Sequence, residues 1–302
     1  MSLFSFLGAV EIGLIFALVA LGVYISFRLL RFPDLTVDGS FPLGGAVCAV
    51  LIHNGYSPYL ATVAATLAGA VAGYITGWLN VRLKIMDLLA SILMMIALFS
   101  VNLRVMGGPN VPLINDPTMF TLLQPEGLED YWSRPMLLLI FVIVAKVATD
   151  WFFSTEKGLA IRATGSNARM ARAQGINTGA MVLLGMAISN ALVGLAGALF
   201  AQTQGGADIS MGIGTIVIGL AAVIVGEAIL PSRKLVLATL AAIIGAIVYR
   251  FFIAIALNSD FIGLKAQDLN LVTAILVTIA LVVPNLKRML QHKRLPDAPK
   301  SL

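Results

Sequence analysis

Charge is scarce in this 302-residue chain: Asp, Glu, Lys and Arg make up 12% of it, about half the share found in a soluble domain. Set against 59% apolar residues and a mean hydropathy of +0.95, that shortage excludes a water-soluble globule, because a globule of this length still clothes much of its surface in polar groups. The solvent is lipid. Cysteine is scarcer still: a single one, Cys48, excludes a disulfide framework. Two histidines far apart in the chain, His53 and His292, exclude a His-rich metal cage, so no metal site is expected.

Catalytic patterns are missing as well. There is no G-x-x-x-x-G-K-[ST] phosphate cradle, G-x-S-x-G elbow or H-E-x-x-H helix. Gly165-Ser166-Asn167 offers a serine with no histidine near it in sequence, and Gly212 and Gly214 lack the third glycine of a dinucleotide loop. No catalytic residue is assigned and the chain is not expected to be an enzyme. The N-terminus MSLFSFLGAVEIG has no basic n-region, so no cleavable signal is evident.

What the chain does have is apolar length. A helix needs about 20 apolar residues to cross the hydrocarbon layer. Nine segments are candidates: 5–27, 41–52, 59–79, 88–103, 135–153, 179–201, 211–230, 235–257 and 269–284. The expected fold is an all-α polytopic membrane protein of about 8–10 transmembrane helices, some short or broken, in a single domain over 1–302. Segment 41–52 covers only about 18 Å as a helix. It is either a half-helix buried among others or is continued irregularly by residues 33–40.

Basic residues set the orientation. If loops alternate, 28–40, 80–87, 154–178, 231–234 and 285–302 share one side and hold 15 of the 20 Lys and Arg. The opposite loops hold three, Arg104, Arg134 and Lys265. This bias places the N-terminus outside and the C-terminus in the cytoplasm of a cell (inner) membrane protein. It also accounts for the formal charge of +5 without nucleic acid. In both halves a long segment (5–27, 179–201) precedes a Gly-rich one (41–52, 211–230), with opposite directions in the two halves. This is the pattern of an inverted repeat, and transporters place their substrate sites where such repeats meet.

Gly69, Gly73 and Gly77 share one helix face, and Gly194 and Gly197 repeat the usage in 179–201. Their expected role is close helix packing. Lys146 and Asp150, four apart, are expected to pair on one helix face. No chain of buried acids crosses the layer, which disfavours an ion-coupled carrier, the alternative function kept open.

Segment 154–178 is the most informative. Gly165 is expected to break the chain, with Ser166 or Asn167 capping a short cationic helix over Ala168 to Ala173 that Gly175 ends. It reads either as an ordinary basic inner loop or as a docking element for a cytoplasmic partner.

Gly158…Arg162-Ala163…Gly165…Asn167…Ala171…Gly175-Ile176 resembles the coupling segment of type II ABC importer permeases, the family that includes branched-chain amino acid and ribose permeases. Asp34-Leu35-Thr36-Val37-Asp38-Gly39-Ser40-Phe41 with Leu43-Gly44, and Asn102-Leu103-Arg104-Val105-Met106-Gly107-Gly108-Pro109-Asn110, extend the likeness over nearly the whole chain. Together these motifs look most like the tryptophan/tyrosine-type subgroup. Ser91 departs from it, standing where glycine is expected.

The resemblance implies a permease subunit moving a small solute, an amino acid, by alternating access. It implies a second permease copy, as a homodimer, two cytoplasmic ATP-binding subunits and an extracytoplasmic solute-binding protein. ATP and Mg would be bound by the partner ATPase, with no cofactor in this chain. Gly158, Arg162, Ala163, Gly165, Asn167, Arg169, Ala171 and Gly175 would then serve ATPase coupling. For the solute path the candidates are Asp38, Ser40, Asn190, Gln202 and Gln204. Ser40 before Phe41-Pro42 is expected to start a half-helix whose free N–H groups suit a carboxylate. Asp38 either joins that path or holds the turn by bonding the backbone. Asn190 faces either the path or a neighbouring helix.

Overall fold

The computed structural model describes residues 3–124, 130–232 and 234–257, with 275 and 278 as isolated positions. The segment expected at 269–284, the basic tail 285–302, Arg233, Lys265 and His292 lie outside the described residues. Helix α1 (Leu3–Val23) continues as a π-helical turn over Tyr24–Leu29, followed by α2 (Val37–His53), α3 (Pro58–Leu83) and α4 (Asp87–Met106). Strand β1 (Asn110–Pro112) and α5 (Met119–Leu123) lead to α6 (Asp130–Ser154), α7 (Glu156–Ser166) and α8 (Ala168–Ala173). After α9 (Thr178–Gln204), strand β2 (Gly206–Asp208) and a 3-10 turn (Ile209–Gly212) precede α10 (Thr215–Ile229) and α11 (Leu235–Leu257). Among the described residues seven helices are long and apolar enough to cross a membrane, and α2 is a shorter apolar one. The chain is an all-α polytopic membrane protein.

Helix α1 is the central post. Leu14, Ile15, Leu18 and Leu21 are fully enclosed and share one core cluster with α6, α9, α10 and α11. On the outside, Leu67 and Val71 of α3, Ile96 of α4 and Val144 of α6 are exposed. That inversion is stable only where the surroundings are themselves apolar.

The ends follow local chemistry. Ser57 caps α3, with Pro58 at its first position, and Asn177 caps α9 by accepting from Ala180 N at 3.1 Å. Gly107 and Gly205 close α4 and α9 in the left-handed region at φ 69° and 76°. Strands β1 and β2 pair antiparallel, joining the ends of α4 and α9 at one end of the bundle. Helices α7 and α8 occupy the other end.

Two elements depart from expectation. Helix α2 starts at Val37, four residues before 41, so Pro42 is sixth in the helix and not in its first turn. The start is displaced because the Leu35–Thr36 turn already bonds the first amides: Asp38 N to Leu35 O, and Gly39 N and Ser40 N to Thr36 O. Segment 154–178 holds two helices, and Gly165 lies inside α7 without breaking it. The break falls at Asn167, whose φ and ψ of −154° and 94° are extended.

Candidate functional site

Residues 30–36 run without regular structure between the end of the π turn and α2. Arg31, at φ 56°, turns the chain back into the bundle. Irregular backbone survives at membrane depth only when its polar groups are satisfied by protein, and Asp34 supplies that here. Its Oδ1 accepts from Thr36 N at 3.0 Å and its Oδ2 from Asn190 Nδ2 at 2.7 Å. Asn190 Oδ1 in turn accepts from Ser40 Oγ at 2.7 Å, and Thr36 Oγ1 meets Thr76 Oγ1 at 2.9 Å. Asn190 is near the middle of the 27-residue α9, so α2 begins at about mid-height of the bundle.

Helix α10 also begins inside the bundle. Its N-cap residue, Gly214, carries no side chain, and the cap comes from Asp38 across the fold. Asp38 Oδ1 accepts from Ile216 N at 2.7 Å and Oδ2 from Gly214 N at 3.3 Å. A carboxylate at a helix N-terminus is favoured both by hydrogen bonding and by the macrodipole. Gly212 makes the approach possible: a Cβ there would fall 2.1 Å from the Asp38 carbonyl oxygen. Two short helices of 17 and 15 residues thus start from one junction and run in opposite directions. Helix α2 ends where His53 pairs with Asp116, and α10 ends where Glu227 pairs with Arg28.

Beside this junction lies a cavity of about 440 Å³, lined by Asp38, Gly39, Pro42, Met95, Phe99, Ser100, Asn102 and neighbouring apolar side chains. Its volume falls within the range of small-molecule sites. Asn102 is fully buried, donates from Nδ2 to Gly39 O at 3.1 Å, and among the described residues has no hydrogen-bond partner for Oδ1.

Of the residues picked for a solute path, Asp38 lines this cavity. Ser40 and Asn190 are enclosed in the polar network with Asp34. Gln202 ties four elements: Nε2 donates to Thr62 Oγ1 at 2.9 Å and Cys48 Sγ at 3.2 Å, while Oε1 accepts from Met119 N at 2.9 Å. Gln204 is exposed on a second, shallower pocket of about 320 Å³ with Asn110, Asp208 and Met211. There the Ser210 hydroxyl and backbone N–H hold the Asp208 carboxyl below the ordinary carboxylate range. The free N–H groups expected at the start of α2 are not free: the Leu35–Thr36 turn occupies them.

The glycines sit at crossings. A Cβ at Gly69 would lie 2.3 Å from Asn190 O, at Gly73 2.2 Å from Met186 O and at Gly77 3.3 Å from Leu183 Cα, all between α3 and α9. At Gly194 it would lie 2.8 Å from Ala65 O, and at Gly197 1.9 Å from Phe41 O. Lys146 and Asp150 pair on α6, and Asp150 Oδ1 also accepts from Thr239 Oγ1 of α11 at 2.7 Å.

In the α7–α8 segment, Gly158 lets α7 fold back on α6, since a Cβ would sit 2.3 Å from Phe153 Cα. Gly165 presses α7 on the end of the π turn, 1.8 Å in the same sense from Leu29 O. Arg162 and Ala163 are half-buried in α7. Asn167 Oδ1 caps α8 by accepting from Arg169 N and Met170 N, both at 3.1 Å. The helix closes with Ile176 N to Ala171 O and Gly175 N to Arg172 O, with Gly175 at φ 81°, the reciprocal bonds of a Schellman end. Ala171 is buried; Arg169, Met170 and Arg172 face outward.

Sequence reasoning did not single out α7, the cross-fold partner of Asp38, or Asn102 as a site residue. For Asn102 a signal existed, the one side-chain amide in the largely apolar α4.

Comparison with known proteins matches residues 6–283 to the family described as branched-chain amino acid transport system / permease component. The chain is 38% identical over 288 residues to the tyrosine transport system permease protein of Clostridioides difficile (strain R20291), covering 95% of this chain and 94% of that one. It is 34% identical over 277 residues to the uncharacterized protein RP368 of Rickettsia prowazekii (strain Madrid E), covering 90% and 95%. No solved structure matches.

Proposed function

The chain belongs to the branched-chain amino acid transport system permease family, and from that premise we propose that it is the transmembrane subunit of an ATP-binding cassette importer carrying an aromatic amino acid across the cell's inner membrane. The likeness to a tyrosine transport permease over nearly the full length of both chains supports that choice of solute. The observation that carries the mechanism is the lever: the capped helix α8, whose outward face is Arg169, Met170 and Arg172, follows α7, which Gly165 seats on the π turn that leads into the mid-height junction.

In this reading the α7–α8 end faces the cytoplasm. Lys157, Arg162, Arg169 and Arg172 are on it, and Arg82 and Lys84 close α3 beside it, as the bias of basic residues toward the cytoplasm requires. The N-terminus is outside and the C-terminus inside. Helix α8 docks into a cleft on each of two ATPase subunits, which bind ATP and Mg. A second copy of the chain completes the permease, and a solute-binding protein delivers cargo at the β1–β2 end near Gln204. Closure of the ATPases pushes α8, and α7 passes the displacement to the π turn and residues 30–36. That segment carries Asp34 and leads directly into Asp38, so its movement shifts the starts of α2 and α10 and switches access to the cavity. ATP and loaded binding protein must each prefer one state, since a ligand shifts an equilibrium only by its differential affinity.

Co-purification tests this reading. Affinity-tagged protein extracted in mild detergent from its own cells is expected to retain an ATP-binding subunit in a 1:1 ratio. Recovery of the permease free of any ATPase would count against it.

A further inference from the structure

Broken helices inside a membrane commonly offer their free N-terminal amides to an anionic group of the solute. Here several of those amides are taken. The Asp38 carboxylate accepts from Gly214 N and Ile216 N at the start of α10, and the Leu35–Thr36 turn accepts the first amides of α2. The adjoining cavity is also lined by a residue that brings a group of the opposite kind. Among the described residues Asn102 Oδ1 is buried without a partner, while its amide nitrogen is fixed on Gly39 O at 3.1 Å, next to Asp38. Turning the amide over would set oxygen against oxygen, so the carbonyl orientation is determined. An unsatisfied buried acceptor is costly and is retained where something comes to fill it. The rest of the wall is apolar, made by Pro42, Met95, Phe99, Ile209 and Ile213, apart from the exposed hydroxyl of Ser100.

We propose that this cavity is a solute site that reads the ammonium group, with Asn102 Oδ1 accepting one of its N–H bonds beside the negative charge of Asp38. The apolar wall takes the side chain of the solute, and among the described residues no cationic side chain lines the pocket to hold its carboxylate. Asn102 is the specificity-determining residue. The inference rests on the importer reading above and names the chemical group that its solute must present.

Two phenols that differ only at the charged end make the test: tyramine, which has the ammonium and no carboxylate, and 3-(4-hydroxyphenyl)propionate, which has the reverse. Full-length protein in lipid nanodiscs is titrated with each by ligand-observed NMR. Tyramine is expected to bind at least 10-fold more tightly, the lower end for a hydrogen bond to a charged group. Asn102→Leu, which removes the acceptor at nearly constant shape, is expected to weaken tyramine roughly 10- to 100-fold. Ile96→Trp fills the cavity from its exposed rim and is expected to abolish tyramine binding even if the Asn102 variant fails to fold. Equal binding of the two phenols, no binding of tyramine, or tyramine binding unchanged in Ile96→Trp would overturn the assignment. None of these outcomes bears on the ATPase partner, which co-purification through α8 judges separately.

Discussion

Gly197→Ala is expected to be among the most damaging single substitutions in the chain, although it adds one methyl group. The new Cβ would lie 1.9 Å from the carbonyl oxygen of Phe41 and 3.2 Å from Gly45 N. Both are backbone atoms, so no side chain can swing aside. Gly44 faces the same crossing, where a Cβ would fall 2.0 Å from Gly194 O. Helices α2 and α9 therefore touch backbone to backbone, and relief requires moving α2 as a body, together with the Ser40–Asn190 bond it carries. Overpacking a well-filled site costs about 1–3 kcal/mol, and backbone contact on this scale puts the cost at the upper limit, about 3 kcal/mol. Thermal unfolding in detergent measures it. Gly8→Ala is the control, because nothing lies within 4 Å of a Cβ there and alanine favours the helix. Equal melting of the Gly197 variant and wild type would show that the crossing is looser than described.

Met170→Asp is expected to cut ATPase docking while leaving the fold intact. Met170 is 63% exposed on α8, a flexible apolar side chain of the kind that fills irregular sockets. Arg169 beside it and Arg172 two positions on are charged and exposed, so it is the apolar knob among them. Interface anchors of this sort are worth about 2–3 kcal/mol, and a buried carboxylate adds its own desolvation cost. Roughly 100-fold weaker association with the ATPase follows, read from titration of the ATPase against protein in nanodiscs, with unchanged thermal unfolding. Substituting Gly165 is a poorer probe. It lies against Leu29 and disturbs packing as well as coupling.

Some of this structure can be read directly from the residues. The long spans are legible because lipid demands some 20 apolar residues in a row, and α3, α4, α9 and α11 all show that run. The bounds of α8, Ala168 to Ala173, are legible too, because its start and stop are local: an Asn cap and a left-handed glycine. The start of α2 is not. Phe41-Pro42 is an attractive first turn, but the turn that opens the helix is Leu35–Thr36, and it is set by Asp34 bonding to Thr36 and to Asn190, 156 positions away. Likewise Gly165 looks like a breaker in isolation and is a contact surface in the fold. Asp38 bonds backbone, as its type suggests, yet the backbone is that of residues 214 and 216. Asn102 is visible as a lone amide, but only the pocket beside it gives the spare oxygen a meaning. Long-range partners leave no local pattern.

The most direct test of the lever and its external engine is solute uptake into sealed proteoliposomes. Protein reconstituted with its ATPase and solute-binding protein is expected to accumulate labelled tyrosine only when ATP and Mg are present on the α7–α8 side. The same vesicles without the ATPase, given a sodium or proton gradient, are expected to show none. Accumulation by the permease alone under either gradient, without nucleotide, would contradict the mechanism.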